Sequence, residues 1–402
     1  MRILTFTSLY PNSVFPENGV FVEARLRQLL GRKPAYEARV VAPVPWFPFR
    51  GPRFGLYGRM AAVPGREVLK GISIEHPRYV VVPKLSWMVT PITMAAQSYP
   101  TLRKLIAEGY DFDLIDAHYL FPDGVAAASL ARAFRKPFVI TARGSDVRVL
   151  TKYSLARRQI LSTIHRAAQV ITVSAALRDD LIALGADGDR IRVLRNGVDL
   201  SMFSPGDRVA CRTAIGLSGK PVVASVGRLV DLKGHDLVIR AILNVPDATL
   251  VIVGSGPEER RLKALAQDLG VAQRVRFLGQ VGQDRLRDVY TAADVLVLAS
   301  THEGWPNVLL EAMACGCPVV VTDIDGMREV VQSSDGGILV ESRTPEALGS
   351  GITSMLDRPP GRERTRRYAE AFSWDTTSDG QSEVFERIAS SGFVNASGIV
   401  RC

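Results

Sequence analysis

Short runs of Val, Ile and Leu alternate with helix-period stretches along nearly the whole chain, and this alternation constrains the fold more than any other feature. Continuous apolar strands separated by helices of about 10–15 residues are what a parallel sheet covered on both faces requires. The class expected is therefore α/β. Strands are expected near Ile3–Phe6, Ala38–Ala42, Ile74–Val82, Leu114–Ala117, Phe138–Thr141, Val170–Val173 and Ile191–Leu194. A second series is expected near Val222–Val226, Thr249–Val253, Val275–Phe277, Val295–Leu298, Val319–Val321 and Ile338–Val340. Between the two lies Asn196–Gly206, polar, turn-rich and without periodicity, which reads as a domain boundary. Two doubly wound, Rossmann-like parallel-sheet domains are expected, 1–198 and 199–372. Ligands of such sheets sit at the carboxyl ends of strands, so a site in a cleft between the domains is expected.

Composition removes several classes. The chain has 402 residues, 47% apolar and 23% charged, enough for each half to bury its own core. Its four cysteines, Cys211, Cys315, Cys317 and Cys402, lack the paired spacing of a zinc site or a disulfide scaffold. A reducing, cytoplasmic compartment fits that usage. No apolar run reaches the roughly 18 residues of a membrane span. The most hydrophobic stretch, Val80–Ala96, is broken by Pro83, Lys84 and Pro91. The strand-like run at the N-terminus ends by Pro11, too short for a signal peptide's apolar core, so export is not expected.

The net charge of +9 is lopsided, because residues 1–200 hold 28 Lys/Arg against 16 Asp/Glu while residues 201–402 hold 22 against 25. An anionic partner is expected on the first half, either phospholipid headgroups or a phosphorylated substrate, with a merely solvated basic surface as the plainer reading. Trp46, Phe47, Phe49 and Phe54 lie among Arg50 and Arg53 in one Pro/Gly-rich loop. That mixture suits a membrane interface or a greasy, anionic acceptor. No recognisable nucleic-acid module accompanies it, so nucleic acid is not expected as a partner.

The chemistry is concentrated in the second half. Ala299–Pro318 follows a strand, turns at Gly304, opens a helix at Pro306 and stops at Gly316, which puts Glu303 in a loop and Glu311 inside the helix. Backbone amides around Asn307, Val308 and Leu309 are expected to form an anion site, and the two carboxylates can accept hydrogen bonds from hydroxyls. An anion flanked by hydroxyl-bearing groups describes a nucleotide diphosphate-sugar. In Val226-Gly227-Arg228-Leu229-Val230-Asp231-Leu232-Lys233-Gly234-His235, two cations share a strand-to-helix loop and could neutralise a leaving diphosphate without metal. Gly254-Ser255-Gly256-Pro257-Glu258 alone speaks only for a tight turn.

The Glu–seven residues–Glu segment, Gly-Arg-Leu-x5-Gly, Gly-x-Gly-Pro-Glu, Phe277-Leu278-Gly279 and Asn196-Gly197-Val198-Asp199 together resemble glycosyltransferase family 4, retaining nucleotide-sugar enzymes of GT-B fold. Glu303-Gly304-Trp305-Pro306-Asn307 and Thr141-Ala142-Arg143-Gly144-Ser145-Asp146 are similar to transferases that build cell-surface polysaccharides, including the teichuronic-acid type. The resemblance gives Arg228 and Lys233 the diphosphate, Glu311 the ribose hydroxyls and Glu303 a sugar hydroxyl. Gly254, Leu278 and the Asn307–Leu309 amides go to donor binding. His118 would stand beside the sugar and Gly19 beside the donor phosphate. Many members have paired glycines where this chain has Asn18-Gly19, and His-Gly-x-Asp where it has Arg143-Gly144-Ser145-Asp146. Arg143 and Asp146 are accordingly assigned to the acceptor side.

The resemblance implies that a sugar moves from a UDP- or GDP-sugar to a hydroxyl of a glycan or lipid-linked acceptor in polysaccharide biosynthesis of the cell envelope, with retained configuration and no cofactor or metal. A nucleotide-sugar epimerase or hydrolase of the same fold, or a non-catalytic binding module, remain as alternatives. An NAD-dependent dehydrogenase is disfavoured because Thr7-Ser8-Leu9-Tyr10-Pro11 stands where a Gly-x-Gly-x-x-Gly would follow the first strand. A helix at 373–390 should cross back onto the first domain, followed by a tail at 391–402. A cytoplasmic protein, peripheral on the inner face of the membrane, is the expected location.

Overall fold

A computed structural model of the chain describes residues 1–81, 86–217 and 219–391. It divides into two compact units, one formed by Met1–Arg195 together with the chain from Asp375 onward, the other by Asn196–Trp374.

The N-terminal unit is built on strands β1 (Arg2–Phe6), β2 (Glu37–Val41), β3 (Val44–Pro45), β4 (Arg66–Leu69), β5 (Ile72–Glu75), β6 (Arg78–Tyr79), β7 (Leu114–His118), β8 (Phe138–Ala142), β9 (Gln169–Thr172) and β10 (Ile191–Val193). Eight of them form a sheet in the order β10-β9-β8-β7-β1-β2-β5-β4, parallel except for β4, while β3 and β6 pair separately. The single strand expected at Ile74–Val82 is instead two short strands, β5 and β6, with Val82 outside the described residues. The hairpin of β4 and β5 was not expected. Its two-residue turn, Lys70-Gly71, takes positive φ at both positions (49° and 81°), the twist that joins antiparallel strands tightly.

The C-terminal unit carries β11 (Val222–Val226), β12 (Thr249–Val253), β13 (Val275–Gly279), β14 (Val295–Leu298), β15 (Val319–Thr322) and β16 (Gly337–Val340). All pairings are parallel, in the order β13-β12-β11-β14-β15-β16. Strand order turns back beside β11, from which neighbours run outward on both sides, so its loop opens at the switch point where such sheets take ligands. The core on one face joins Val223, Ile252, Val295 and Val297 to helix residues Val238, Ile239, Leu348 and Ile352.

The turn-rich segment read as a domain boundary is stitched down. Asn196 is buried, the Val198 amide donates to the Phe372 carbonyl (2.9 Å), and a Cβ on Gly197 would lie 2.5 Å from the Trp374 nitrogen. Asp199 caps the following turn, accepting from the amides of Ser201 (3.1 Å) and Met202 (3.0 Å). The last helix, Trp374–Ser390, buries Val384, Phe385 and Ile388 against Ile3, Leu29 and Leu114 of the N-terminal unit. Of the tail expected at 391–402, residues 392–402 lie outside the described residues. The apolar stretch Val80–Ala96 partly enters the helix Ser86–Ala107, which contains Pro91 and Pro100. Among the described residues no helix is long and apolar enough to cross a membrane.

Candidate active site

In the C-terminal unit the loops that leave the sheet's carboxyl edge are tied to one another through their backbones. The Gly227 amide donates to the Val253 carbonyl (3.0 Å), Leu229 to Ser255 (3.0 Å), Gly254 to Gly279 (2.8 Å) and Thr301 to Leu232 (2.9 Å). Such close approach needs residues without side chains. A Cβ on Gly254, whose φ is +136°, would lie 1.9 Å from the Gly227 carbonyl oxygen, and one on Gly234 would lie 2.2 Å from that of Ala299. The Gly-x-Gly motif is therefore more than a tight turn, because it lets the β12 loop lie against the β11 loop that carries Arg228.

On this frame sit the charged side chains expected at the donor. Arg228 is exposed, and its carbonyl is held from behind by buried His235. His235 Nε2 faces that oxygen (3.3 Å) and Nδ1 faces Ser225 Oγ (2.9 Å), which fixes the tautomer with the proton on Nε2. Burial lowers the His235 pKa to about 4, so the ring is neutral. Lys233 Nζ pairs with Glu303 Oε1, to which Ser300 Oγ also donates (2.7 Å). These two expected site residues, seventy positions apart in the chain, are thus in direct contact.

Helix Asn307–Ala314 begins after Pro306 as expected, but its first amides are partly occupied. Asn307 donates to the Trp305 carbonyl (3.1 Å) and Leu309 to that of Pro306 (3.0 Å), so the anion site read across Asn307, Val308 and Leu309 is narrower than three free amides. The Asn307 carboxamide oxygen accepts from Asn196 Nδ2 (3.2 Å). Glu311 accepts from Tyr290 OH (2.9 Å), and burial raises its pKa to about 7 against the lowering effect of that hydrogen bond. Tyr290 gave no sequence signal, since it lies in a different helix, Gln283–Ala292. Leu278 lies in β13, next to the irregular register that ends at Gly279. Among the described residues, no three of His, Cys, Asp and Glu come together in a way that could hold a metal ion.

The N-terminal unit organises its carboxyl-edge loops differently. His118 ends β7 and is buried, with Arg143 Nη2 on its Nδ1 (2.7 Å) and Asp116 Oδ2 near its Nε2 (3.2 Å). A guanidinium can only donate, so Nδ1 is the acceptor and Nε2 carries the proton toward Asp116. Burial, with Arg143 adding to it, lowers the His118 pKa to about 4 despite Asp116. Both ring nitrogens of His118, which the resemblance puts beside the sugar, are engaged within the unit. Behind it, Gln381 Nε2 donates to Asp116 Oδ2 (3.1 Å) and Arg25 Nε to Gln381 Oε1 (2.8 Å), which ties the last helix to the end of β7. Asp116 was missed, although its spacing of two from His118 on one strand places both on the same face.

Asp146 is fully buried, and its oxygens accept from the amides of Leu120 (2.8 Å), Arg143 (3.0 Å) and Gly144 (2.7 Å). Through these bonds Asp146, assigned to the acceptor side, braces its own loop. Gly19 takes φ 64°, and a Cβ there would lie 2.1 Å from the Leu9 carbonyl oxygen, so glycine is required. Asp123, also missed, accepts from the Ser8 amide at that loop, and burial raises its pKa to about 6.

Residues 212–372 match the profile of Glycosyl transferases group 1, and residues 62–202 that of Glycosyltransferase Family 4. The chain is 32% identical over 362 residues, 88% of each chain, to TuaC of Bacillus subtilis (strain 168), which is provisionally assigned as a teichuronic acid biosynthesis glycosyltransferase. It is 38% identical over 218 residues to a D-inositol 3-phosphate glycosyltransferase of Rhodococcus jostii, covering 50% of this chain and 48% of that one. Among solved structures, a sucrose-phosphate synthase from Thermosynechococcus elongatus superposes with TM-score 0.78 at 19% identity, over 97% of this chain and 99% of that one. Anabaena HepE in complex with UDP-glucose superposes with TM-score 0.73 at 22% identity, over 96% and 99%. The fold is GT-B, two Rossmann-like domains, and the chain belongs to glycosyltransferase family 4.

Proposed function

We propose that this transferase moves a sugar from a UDP- or GDP-sugar, held by the C-terminal unit, to a hydroxyl of a glycan or lipid-linked acceptor in cell-surface polysaccharide synthesis. The observation that carries the reading is the meeting of Lys233, Glu303 and Ser300 at the carboxyl ends of β11 and β14, with Arg228 exposed on the same stitched loop frame. A diphosphate arriving there would compete with Glu303 for Lys233, freeing the carboxylate to accept a sugar hydroxyl. The likeness to HepE with UDP-glucose supports a nucleotide-sugar donor, and the relation to TuaC supports an envelope polysaccharide.

In the proposed step the acceptor hydroxyl attacks the anomeric carbon on the face from which the diphosphate leaves. The bond from that carbon to the phosphate oxygen breaks, a bond to the acceptor oxygen forms, and the acceptor proton passes to the departing phosphate. Configuration is retained. Arg228 and Lys233 stabilise the charge that grows on the leaving group, the preorganised electrostatic contribution that is usually the largest in catalysis. No protein carboxylate need act as base, and no metal is required in this reading. Arg143, whose Nη2 lies on His118 Nδ1 at the end of β7, is the group proposed to meet a negatively charged acceptor.

Thermal unfolding with UDP, GDP, ADP and NAD, each with and without EDTA, tests the donor assignment, since a ligand at about 100 times its Kd adds roughly 2.7 kcal/mol of stability. A rise with UDP or GDP alone, indifferent to EDTA, is expected. A rise with NAD alone, or with no nucleotide, would remove the basis of the reading. Product analysis with donor but no acceptor then separates transfer from epimerisation or hydrolysis.

A further inference from the structure

The segment between β3 and β4 carries a feature that the transfer chemistry does not use. Trp46, Phe49, Leu56 and Tyr57 are 54%, 55%, 56% and 51% exposed, an unusual concentration of large apolar side chains in twelve consecutive positions. The loop is not loose. Its rings pack on one another, with centroid separations of 6.0 Å for Phe47–Phe49, 5.7 Å for Phe47–Phe54, 5.6 Å for Phe47–Tyr57 and 5.2 Å for Phe49–Phe54. Its ends are fastened, the Trp46 amide to the Tyr79 carbonyl (2.7 Å) and Arg78 Nη1 to the Met60 carbonyl (2.8 Å). A self-packed knob therefore holds its apolar side chains in solvent.

Charge completes the description. Between Glu37 and Glu67 the chain has no acidic residue, and Arg50 and Arg53 are exposed within the knob. The Arg53 guanidinium lies 4.7 Å from the centroid of the Phe54 ring. We propose that this knob docks the protein on an anionic lipid surface, with Trp46, Phe49, Leu56 and Tyr57 entering the headgroup region and Arg50 and Arg53 meeting lipid phosphates. Amphipathic Trp and Tyr suit that depth, where one end of the ring is apolar and the other wet. A single-stranded nucleic acid would need open ring faces for its bases, whereas Phe49 and Phe54 stack on one another and Phe47 meets both edge-on. A second copy of the chain would bring like charges together at the same arginines. The surface stands on its own residues and goes beyond the transferase reading, although it would serve a lipid-linked acceptor by bringing the enzyme to it.

Flotation of the full chain with vesicles of phosphatidylcholine alone, or of phosphatidylcholine mixed with phosphatidylglycerol, is the test. The wild type is expected to float with the mixed vesicles and far less with phosphatidylcholine. Replacing Arg50→Gln with Arg53→Gln should weaken binding to the mixed vesicles about fivefold per arginine, close to 25-fold together, and abolish the preference for anionic lipid. Replacing Trp46→Ser, Phe49→Ser and Leu56→Ser should weaken binding roughly tenfold or more per side chain. The thermal midpoint without ligand reports folding of each variant and does not depend on the donor site, so failure here is distinguishable from failure of the transferase reading. No flotation by the wild type, equal flotation by folded variants, capture of a single-stranded oligonucleotide in place of vesicles, or a dimer that dissociates on these substitutions would each overturn the proposal.

Discussion

The two units solve one problem in opposite ways. Each must shape the loops at the carboxyl edge of a parallel sheet, and the C-terminal unit does so with glycine, bringing backbone against backbone at Gly227, Gly234 and Gly254 and leaving charged side chains at the rim. The N-terminal unit does so with buried polar side chains, in which Asp116, His118, Asp123 and Asp146 are nearly inaccessible and turned onto loop amides, arginines or each other. A frame built from backbone leaves Arg228 exposed at the rim and Lys233 held there by one carboxylate, Glu303. A frame built from side chains has committed its polar groups already, so a ligand must displace one of them.

If that contrast is right, the largest effect on transfer comes from the rim of the C-terminal unit. Lys233→Ala should lower kcat/KM by about 10²–10³-fold, the loss typical of one preorganised electrostatic contact. Isothermal titration should find UDP binding weakened as well, because Lys233 is assigned to the diphosphate. A variant with full turnover would detach the Lys233–Glu303 pair from the chemistry.

The next effect concerns stability, and it compares two glycines. Gly254→Ala places a Cβ 1.9 Å from a carbonyl oxygen at φ +136°, which backbone movement must relieve, at a cost of roughly 3 kcal/mol or more. Gly109, in the N-terminal unit, has φ +89° but no heavy atom within 4 Å of a Cβ. Gly109→Ala should cost only about 1 kcal/mol, for the left-handed conformation alone. Equal losses in urea unfolding would mean that the loop frame yields easily and that glycine is not its determinant.

The N-terminal unit should break through charge instead. Asp116 is the carboxylate between buried Arg25 and half-buried Arg143, and it raises the pKa of both against their desolvation, which pulls Arg25 to about 10 and Arg143 to about 9. Asp116→Asn keeps the shape and removes the charge, leaving two guanidinium groups poorly compensated. Breaking a buried pair costs about 3–5 kcal/mol, and the rest of the Gln381 and His118 hydrogen bonding should reduce the loss to about 2–3 kcal/mol. UDP binding should survive, because the side chains proposed to hold it, those of Arg228, Lys233 and Glu311, lie in the other unit; loss of both together would join the two frames.

The same contrast decides what was legible in the sequence. Strand positions, the two sheets and the donor-side motifs follow from apolar periodicity and from glycines at fixed distances from Arg228, Lys233, Glu303 and Glu311, all of them local signals. Tyr290 under Glu311, and Gln381 with Arg25 behind Asp116, come from elements far along the chain, and no local pattern marks them. The partners of His118 and Asp146 escaped for the same reason: the resemblance places the two residues near ligands, and no local pattern says that Arg143 and loop amides bond to them. The β4–β5 hairpin escaped because Lys70 occupies a left-handed position where Gly or Asn would have signalled the turn.

The smallest effect is a pH dependence, and it tests whether even the C-terminal frame holds one group in reserve. Glu311 has a folded pKa of about 7, raised above its ordinary value by burial. Between the unfolded and folded values the native state therefore binds the extra proton, so the stability this group contributes to the free protein is present at low pH and is lost as pH rises through about 7. Nucleotide binding should run the other way, since ribose hydroxyls donate best to an ionised carboxylate. The ionised fraction grows from about a tenth to about nine-tenths across the two pH units centred on that value, so UDP affinity should rise about tenfold over the same span. Tyr290→Phe removes a hydrogen bond that favours the ionised form and should shift the rise to higher pH, while Glu311→Gln should flatten it. Titration calorimetry across that range reads all three, and a wild-type affinity independent of pH would place Glu311 away from the ribose.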